Sequence, residues 1–464
     1  MPRVLETVLY SPKAGITWVR DYFERISVRK SRRMASSTPL RVLIIGGGIV
    51  GLTIAQGCHR NGISYTVYEQ EEPGSIRQGW ALTLHWCMNA LERTIGQENM
   101  QDVRKVSPYY FPHNNCFYQG TPRARAEEHE TVADHTLAND AGTILFLNAA
   151  TCEVKFQVPP SKNRIRVHRH KFKEVLSRNL DIRLGKRLKS VETLPDGLGV
   201  RAIFEDGTHA EGSLLIGADG NNSIVRKHLL PQSQLNRLPL NLIGVVRHFT
   251  PEQAAPIRAL DPLLFQALDP ETGNYLWYSI QEVFEAPDGR CSLDALVIIS
   301  WLVRDEMADA FPASNDERIA LIKRRTANFA EPLKSIVWDI PGDAEAKPLR
   351  MGDFVPPAEG WHNFGGRVTL AGDSAHPMTM YRGEGANHGI LDAALLVDQL
   401  KRIVSGEATQ EEALGSYEKE MRERAGRGVL LSRQAALDAH EWGKVNVNSP
   451  LLGARVLPVS ATLQ

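Results

Sequence analysis

The sequence predicts an α/β fold in which a parallel sheet, built from both ends of the chain, carries an inserted and mostly antiparallel sheet, with helices closing the C-terminus. Three observations lead there. Arg41–Ile45 is a short apolar run suited to a strand buried on both faces; a helical pattern to Arg60 and a second run, Ser64–Tyr68, complete a β-α-β unit. Two more buried-strand runs, residues 214–216 and 368–371, lie far downstream. Between them, residues 240–249, 275–283 and 293–303 alternate apolar and polar, the pattern of antiparallel strands with one face covered.

Taken in order, residues 1–39 read as an N-terminal extension. Its first 33 residues hold eight basic side chains against three acidic ones (Glu6, Asp21, Glu24) and no apolar stretch of secretory type. The acids argue against a transit peptide, and a chain started at Met34 is expected to fold like the full one. Residues 40–75 form the first part of the parallel-sheet domain, where Asn61-Gly62 stops the helix. Residues 76–160 are mixed, with several strand-like stretches, and are assigned to the inserted domain. Residues 161–230 return to the first domain: 171–180 reads as a helix, and 200–204 and 208–211 flank the hairpin turn Asp206-Gly207. Residues 231–350 carry the inserted sheet and a helix over 318–329. Residues 351–403 again belong to the parallel domain, and 404–464 form a C-terminal helical region, with helices expected over 385–403 and 411–441.

Composition bounds the function. With 464 residues, 42% of them hydrophobic and 23% charged, the chain can bury a large core, which excludes a mostly disordered protein. Lys+Arg and Asp+Glu are both 54, so the basic excess of a nucleic-acid binder is missing. The five cysteines (Cys58, Cys87, Cys116, Cys152, Cys291) are odd in number and contain no Cys-x-x-Cys pair. That argues against a disulfide framework or a metal site, and for a reducing, cytoplasmic location. No apolar run approaches the ~18 residues that span a bilayer, so no transmembrane segment is expected.

Gly46, Gly48 and Gly51 place G-x-G-x-x-G between the first strand and its helix. Gly46 permits the tight turn, Gly48 lets backbone approach a pyrophosphate, and Gly51 lets the helix pack on the strand. The helix N-terminus offers free N–H groups and its positive dipole end to the phosphates. Glu69 closes the second strand, where a carboxylate can hold both ribose hydroxyls of an adenosine and repels a 2′-phosphate. Together these make a Rossmann-type dinucleotide site. No second fingerprint exists, because Gly383-Glu384-Gly385 is too short to complete one.

Two later segments carry a family resemblance. Ile216-Gly217-Ala218-Asp219-Gly220-Asn221-Asn222-Ser223-Ile224-Val225-Arg226 resembles the DG motif of the FAD-dependent aromatic hydroxylases, the class A flavoprotein monooxygenases. Gly366-Arg367-Val368-Thr369-Leu370-Ala371-Gly372-Asp373-Ser374-Ala375-His376-Pro377 resembles their GD motif. Val167-His168-Arg169-His170 with Leu176 and Leu180 resembles the segment whose arginine contacts the flavin. The resemblance covers about residues 40–440, in the family's order, and the chain also looks like fungal natural-product members. It departs from the family in Met380 where proline is usual, in Leu391 where an acid is usual beside Asp392, and in Glu384 between the two glycines.

The resemblance implies FAD held by Gly46, Gly48, Gly51, Glu69, Gly79, Arg169, Asp219, Asp373, Gly385 and Ala386. Alone, Asp219 and Asp373 read better as helix N-caps; the combined pattern reverses this in favour of the cofactor. It further implies a monooxygenase in which NADPH or NADH reduces the flavin and O₂ adds to give a flavin hydroperoxide. That species hydroxylates or epoxidises a small aromatic, polyketide or terpenoid-type metabolite. No acid or base is assigned; Tyr381, Arg382 and Arg247 are the candidates. Arg247, His248, Tyr275 and Trp277 read either as pocket lining or, more often for aromatics at strand spacing, as core. No metal is expected, His168-x-His170 reading as a surface pair. The rival readings are a flavin oxidase or dehydrogenase needing no nicotinamide, and a non-catalytic carrier on the same fold.

Overall fold

The computed structural model describes residues 39–74, 79–107, 142–161, 164–195, 197–286 and 290–456. The N-terminal extension, Met34, Cys116 and much of the 76–160 segment therefore lie outside the described residues. The chain begins with β1 (Arg41–Ile45), α1 (Ile49–Arg60) and β2 (Ser64–Tyr68), the expected β-α-β unit. It continues through β3 (Leu82–Leu84), α2 (Met88–Ile95), α3 (Gln97–Lys105), β4 (Ile144–Asn148), β5 (Val154–Val158), β6 (Ile165–Val167) and α4 (Arg169–Ser177). Then follow β7 (Ile182–Arg183), β8 (Leu188–Thr193), β9 (Val200–Phe204), β10 (His209–Gly212), β11 (Leu214–Gly217) and α5 (Ile224–Leu229). The middle holds β12 (Asn236–Phe249), α6 (Pro251–Leu260), β13 (Leu264–Leu268), β14 (Tyr275–Glu285), β15 (Cys291–Leu302), α7 (Asn315–Arg325), α8 (Leu333–Trp338) and β16 (Lys347–Asp353). Last come β17 (Val368–Leu370), α9 (Gly385–Val404) and α10 (Gln410–Asp438).

The parallel sheet runs β17-β11-β1-β2-β7, with every neighbouring pair parallel. Its central strand β1 is apolar because both faces are covered: Val42, Leu43 and Ile44 are fully buried, and Ile44 pairs with Ile216 on one side and Val67 on the other. Helices α1 and α9 pack together, and the small antiparallel sheet β10-β9-β8 adds Val200, Ala202 and Phe204 to the same core. The sheet is thus assembled from residues that span most of the chain, as expected.

The inserted sheet runs β16-β12-β15-β14-β13-β4-β5. Its pairs are antiparallel except β13 with β4, which run parallel. Period-two alternation sends Ile243, Val245 and Phe249 to a face covered by Ile319, Ile322, Leu333 and Ile336 of α7 and α8. The opposite face carries Leu242, Leu296 and Ile298, met by Trp80, Trp277, Met351 and Met380. Ser314 and Glu317 close a capping box on α7, and Thr409 and Glu412 one on α10, which fixes where both helices begin.

Three expectations change. β3, α2 and α3 pack with α1, α4 and α9 rather than with the inserted sheet, which among the described residues takes only β4 and β5 from the 76–160 segment. β16 carries the inserted sheet past residue 350, to Asp353. Cys58, Cys87 and Cys152 are free thiols, but Cys291 is disulfide-bonded, against the expectation of a chain without cross-links. Among the described residues no helix is long and apolar enough to cross a membrane.

Candidate active site

The cleft lies at the carboxyl ends of β1, β11 and β17, where three loops touch. Gly46 adopts φ +109°, and a Cβ there would come within 2.3 Å of the Ala218 carbonyl oxygen. A Cβ on Gly51 would lie 2.0 Å from the Gly46 oxygen, so only glycine lets α1 approach its strand this closely. Gly48 is different: no atom would lie within 4 Å of its Cβ, so space stands open over the start of α1. That helix has no side-chain cap and no acid in its first turn, leaving its leading N–H groups and dipole to an anion. Glu69, buried at the end of β2, accepts from the Gly47 N–H at 2.5 Å and the Glu71 N–H at 2.9 Å. Each oxygen keeps a second lone pair.

The second and third loops interlock. The Ala371 N–H donates to the Gly217 carbonyl at 2.9 Å, and the Ser374 hydroxyl to the same oxygen at 2.5 Å. Arg226 donates to the carbonyls of Asp373 (3.2 Å) and Ser374 (2.9 Å) and to that of Asn221. Gly372, at φ +64°, packs against Val50 in the first turn of α1. Asp219 does cap a helix: one oxygen accepts from the N–H groups of Ile224 (2.7 Å) and Val225 (3.3 Å) at the start of α5. Its other oxygen, Oδ1, is buried without a partner among the described residues, and burial raises its pKa.

Asp373 makes no hydrogen bond through its carboxylate among the described residues and is open to solvent. Desolvation by its surroundings nevertheless raises its pKa, opposed by His376, Arg169 and Arg226 and reinforced by Asp392. Arg169 opens α4 and is exposed; a Cβ on Gly79 would lie 2.5 Å from its Cδ, so these two predicted residues are packed together. Gly385 starts α9 beside Asp373, 3.9 Å from its Oδ1 by the same measure, and Ala386 packs against the apolar cluster to which Ile49 and Leu52 of α1 belong. Close approaches thus join Gly46 to Ala218, Gly372 to Val50, Gly79 to Arg169 and Gly385 to Asp373.

The catalytic candidates fare differently. Arg247 is a correction: it sits on the helix-covered face of β12, donating to the carbonyls of Ser335 (2.7 Å) and Ile336 (2.8 Å) and stacking on Phe249. It anchors the end of α8, away from the cleft. His248 is exposed on the other face, bonded to Asp294 at 2.8 Å. Tyr381 is buried, donating to Ser300 at 2.9 Å, with Tyr275 at 5.3 Å between ring centroids. Arg382 pairs with Glu384 at 2.5 Å.

Sequence reasoning missed the group behind the cleft. Asp392 accepts from the Gly372 N–H (2.7 Å), His376 Nε2 (2.6 Å) and Arg424 (2.7 Å), all fully or almost fully buried. Burial opposes its charge, but His376 and Arg424 outweigh that and hold the carboxyl far below the usual range. The signal was the charged pair Asp392 and Arg424 within the buried faces of two helices. Among the described residues no cluster of His, Cys, Asp and Glu could hold a metal.

Open space over an uncapped helix, an orphaned aspartate oxygen and an unbonded cleft carboxylate fit a ligand with phosphates at one end and hydroxyls along its length. The comparisons agree. Residues 39–431 match the family model described as FAD binding domain. A probable FAD-dependent monooxygenase of Arthroderma benhamiae is 34% identical over 440 residues, covering 91% of this chain and 96% of that one. The FAD-dependent monooxygenase dbaB of Emericella nidulans is 39% identical over 373 residues, covering 78% and 86%. Among solved structures, a putative FAD containing monooxygenase from Photorhabdus luminescens superposes with TM-score 0.68 at 24% identity, covering 86% of this chain and 98% of that one. The 2,6-dihydroxypyridine-3-hydroxylase of Arthrobacter nicotinovorans does so with TM-score 0.65 at 16% identity, covering 91% and 98%; both show the fold. This chain belongs to the FAD-dependent monooxygenases of the aromatic-hydroxylase type.

Proposed function

We propose that the enzyme consumes NADPH or NADH and O₂ to hydroxylate or epoxidise a small aromatic, polyketide or terpenoid-type metabolite. The observation that carries this reading is the meeting of the Gly46–Gly51 fingerprint with the Asp219 and Asp373 loops, while Met380, a few residues past Asp373, packs on the inserted sheet. The fungal relatives, named as FAD-dependent monooxygenases, support it.

The roles follow from the chain's own groups. The first turn of α1 binds the pyrophosphate and Glu69 accepts from the adenosine ribose. Asp373 accepts from the ribityl hydroxyls, and Arg169, packed on Gly79, stands beside it. Through Gly385 the start of α9 would border the ring, where its N–H groups and dipole would favour negative charge. Bound FAD supplies the redox chemistry, carrying two electrons from the nicotinamide to O₂ so that one oxygen atom enters the substrate and the other leaves as water. Trp80, Trp277, Met351 and Met380, partly buried over Leu242 and Ile298, form an apolar wall that holds the substrate and excludes water. Anaerobic mixing of the holoenzyme with NADPH or NADH tests this: flavin absorbance bleaches. Bleaching by substrate alone, with neither nicotinamide effective, establishes the oxidase reading instead.

A further inference from the structure

We propose that the buried Arg382–Glu384 ion pair sets the charge balance at the flavin ring. The inference rests on the reading above, in which the turn before α9 borders that ring. Glu384 is the residue immediately before α9, yet its side chain makes no cap bond to the helix. It turns instead to Arg382 Nε, at 2.5 Å from Oε2, and to Trp86 Nε1, at 3.3 Å from Oε1. The two paired side chains are only 7% and 6% exposed. The next residue, Gly385, faces Asp373 in the cleft.

A carboxylate at this point opposes what the helix start does. The leading N–H groups of α9 favour negative charge on a ring lying against them, while an ionised Glu384 disfavours it. Arg382 cancels that carboxylate. Arg382 is itself held in place, donating to the Pro450 carbonyl, while its own carbonyl accepts from Arg455 Nε at 2.9 Å. His85, on the other side of the turn, is kept neutral chiefly by burial and also by the charges of Arg455, Arg164 and Arg382. Arg455, buried beside the pair, adds a cation whose charge also reaches Glu384; removing either partner of the pair still moves the net charge by one unit, in opposite directions, where water screens weakly.

The test uses FAD-loaded Arg382→Met, Glu384→Gln and the double variant. Two quantities are read: the two-electron reduction potential, and the affinity for sulfite, which adds to the oxidised ring to give an anionic adduct. Arg382→Met is expected to disfavour the reduced ring at least tenfold, ~30 mV for two electrons, and to weaken sulfite binding at least tenfold. Glu384→Gln moves both the other way by a similar factor, and the double variant returns to within about threefold of the native protein. Shifts of the same sign in both single variants, or none beyond threefold, overturn the proposal and leave the pair a purely structural one. Should Arg382→Met fail to fold, Glu384→Gln alone decides. Titration of the Asp373→Ala apo-protein with FAD separates the two levels. Weakened FAD there with unmoved sulfite binding refutes the pair alone; unchanged FAD affinity refutes the cleft reading itself.

Discussion

Asp373→Ala isolates the cleft carboxylate from the fold. In the protein this side chain makes no hydrogen bond among the described residues, while its backbone carbonyl still accepts from Arg226 and needs no carboxylate. Its pKa is raised by desolvation, so ionised Asp373 costs the empty protein stability rather than supplying it. The variant's apo form is therefore expected to melt at or slightly above the native temperature. The bound state differs: each ribityl hydroxyl donating to the carboxylate is a charge-assisted hydrogen bond worth ~1.5–3 kcal/mol. At 1.4 kcal/mol per tenfold, FAD affinity falls by roughly one to two decades. Isothermal titration of apo-protein with FAD, beside thermal melts of both apo forms, reads the two effects separately. A helix-cap role predicts the reverse pattern, a loss of ~1 kcal/mol in stability with flavin affinity unchanged. That pattern would refute the reasoning.

Four further outcomes follow from the same geometry. Gly48→Ala adds a Cβ into open space, so the apo-protein folds normally while FAD affinity drops about tenfold or more by titration; Gly51→Ala forces a Cβ to 2.0 Å from the Gly46 oxygen and lowers apo stability by ~1–3 kcal/mol or more in urea unfolding. Asp392→Ala leaves Arg424 buried with Glu420 as its remaining anionic partner, and denaturant unfolding should show a loss of ~3 kcal/mol. Glu418, buried and accepting from Thr369 and Asn363, has its pKa pushed up to about 7, mainly by desolvation. Its folded form thus holds a proton that the unfolded chain releases near 4.5. That contribution is complete below the unfolded value and is lost as pH rises through 7, ~1.4 kcal/mol between pH 6 and pH 8. The buried histidines His388 and His440 are shifted downward and act at lower pH. Urea midpoints of apo-protein at pH 6 and 8 should show the slope, and Glu418→Gln should flatten it.

What could be read from the sequence was what local chemistry dictates. Strands buried on both faces give unbroken apolar runs, so β1, β11 and β17 stand out, and glycines that a neighbouring carbonyl forbids from being anything else mark the turns. The alternation of β12, β14 and β15 likewise declares one covered face. It does not declare which face meets the cleft, and that is why Arg247 stood among the candidates: polar at a strand position, it serves a helix end on the far side. The pairing of β13 with β4 joins segments more than a hundred residues apart, and no local pattern encodes such a partner. The Asp392–Arg424 group was hidden for the same reason, its members lying on separate helices that meet only in the folded core.

The central claim is that this cleft inserts one oxygen atom from O₂ at the expense of a reduced nicotinamide. It is tested most directly by turnover of the FAD-loaded enzyme under ¹⁸O₂ with NADPH or NADH, using a substrate chosen by its stimulation of nicotinamide oxidation. The account predicts a product heavier than the substrate by one oxygen atom, that atom being ¹⁸O, with one nicotinamide oxidised per coupled turnover. A product that gains no ¹⁸O, or one that forms at the same rate without any nicotinamide, contradicts it.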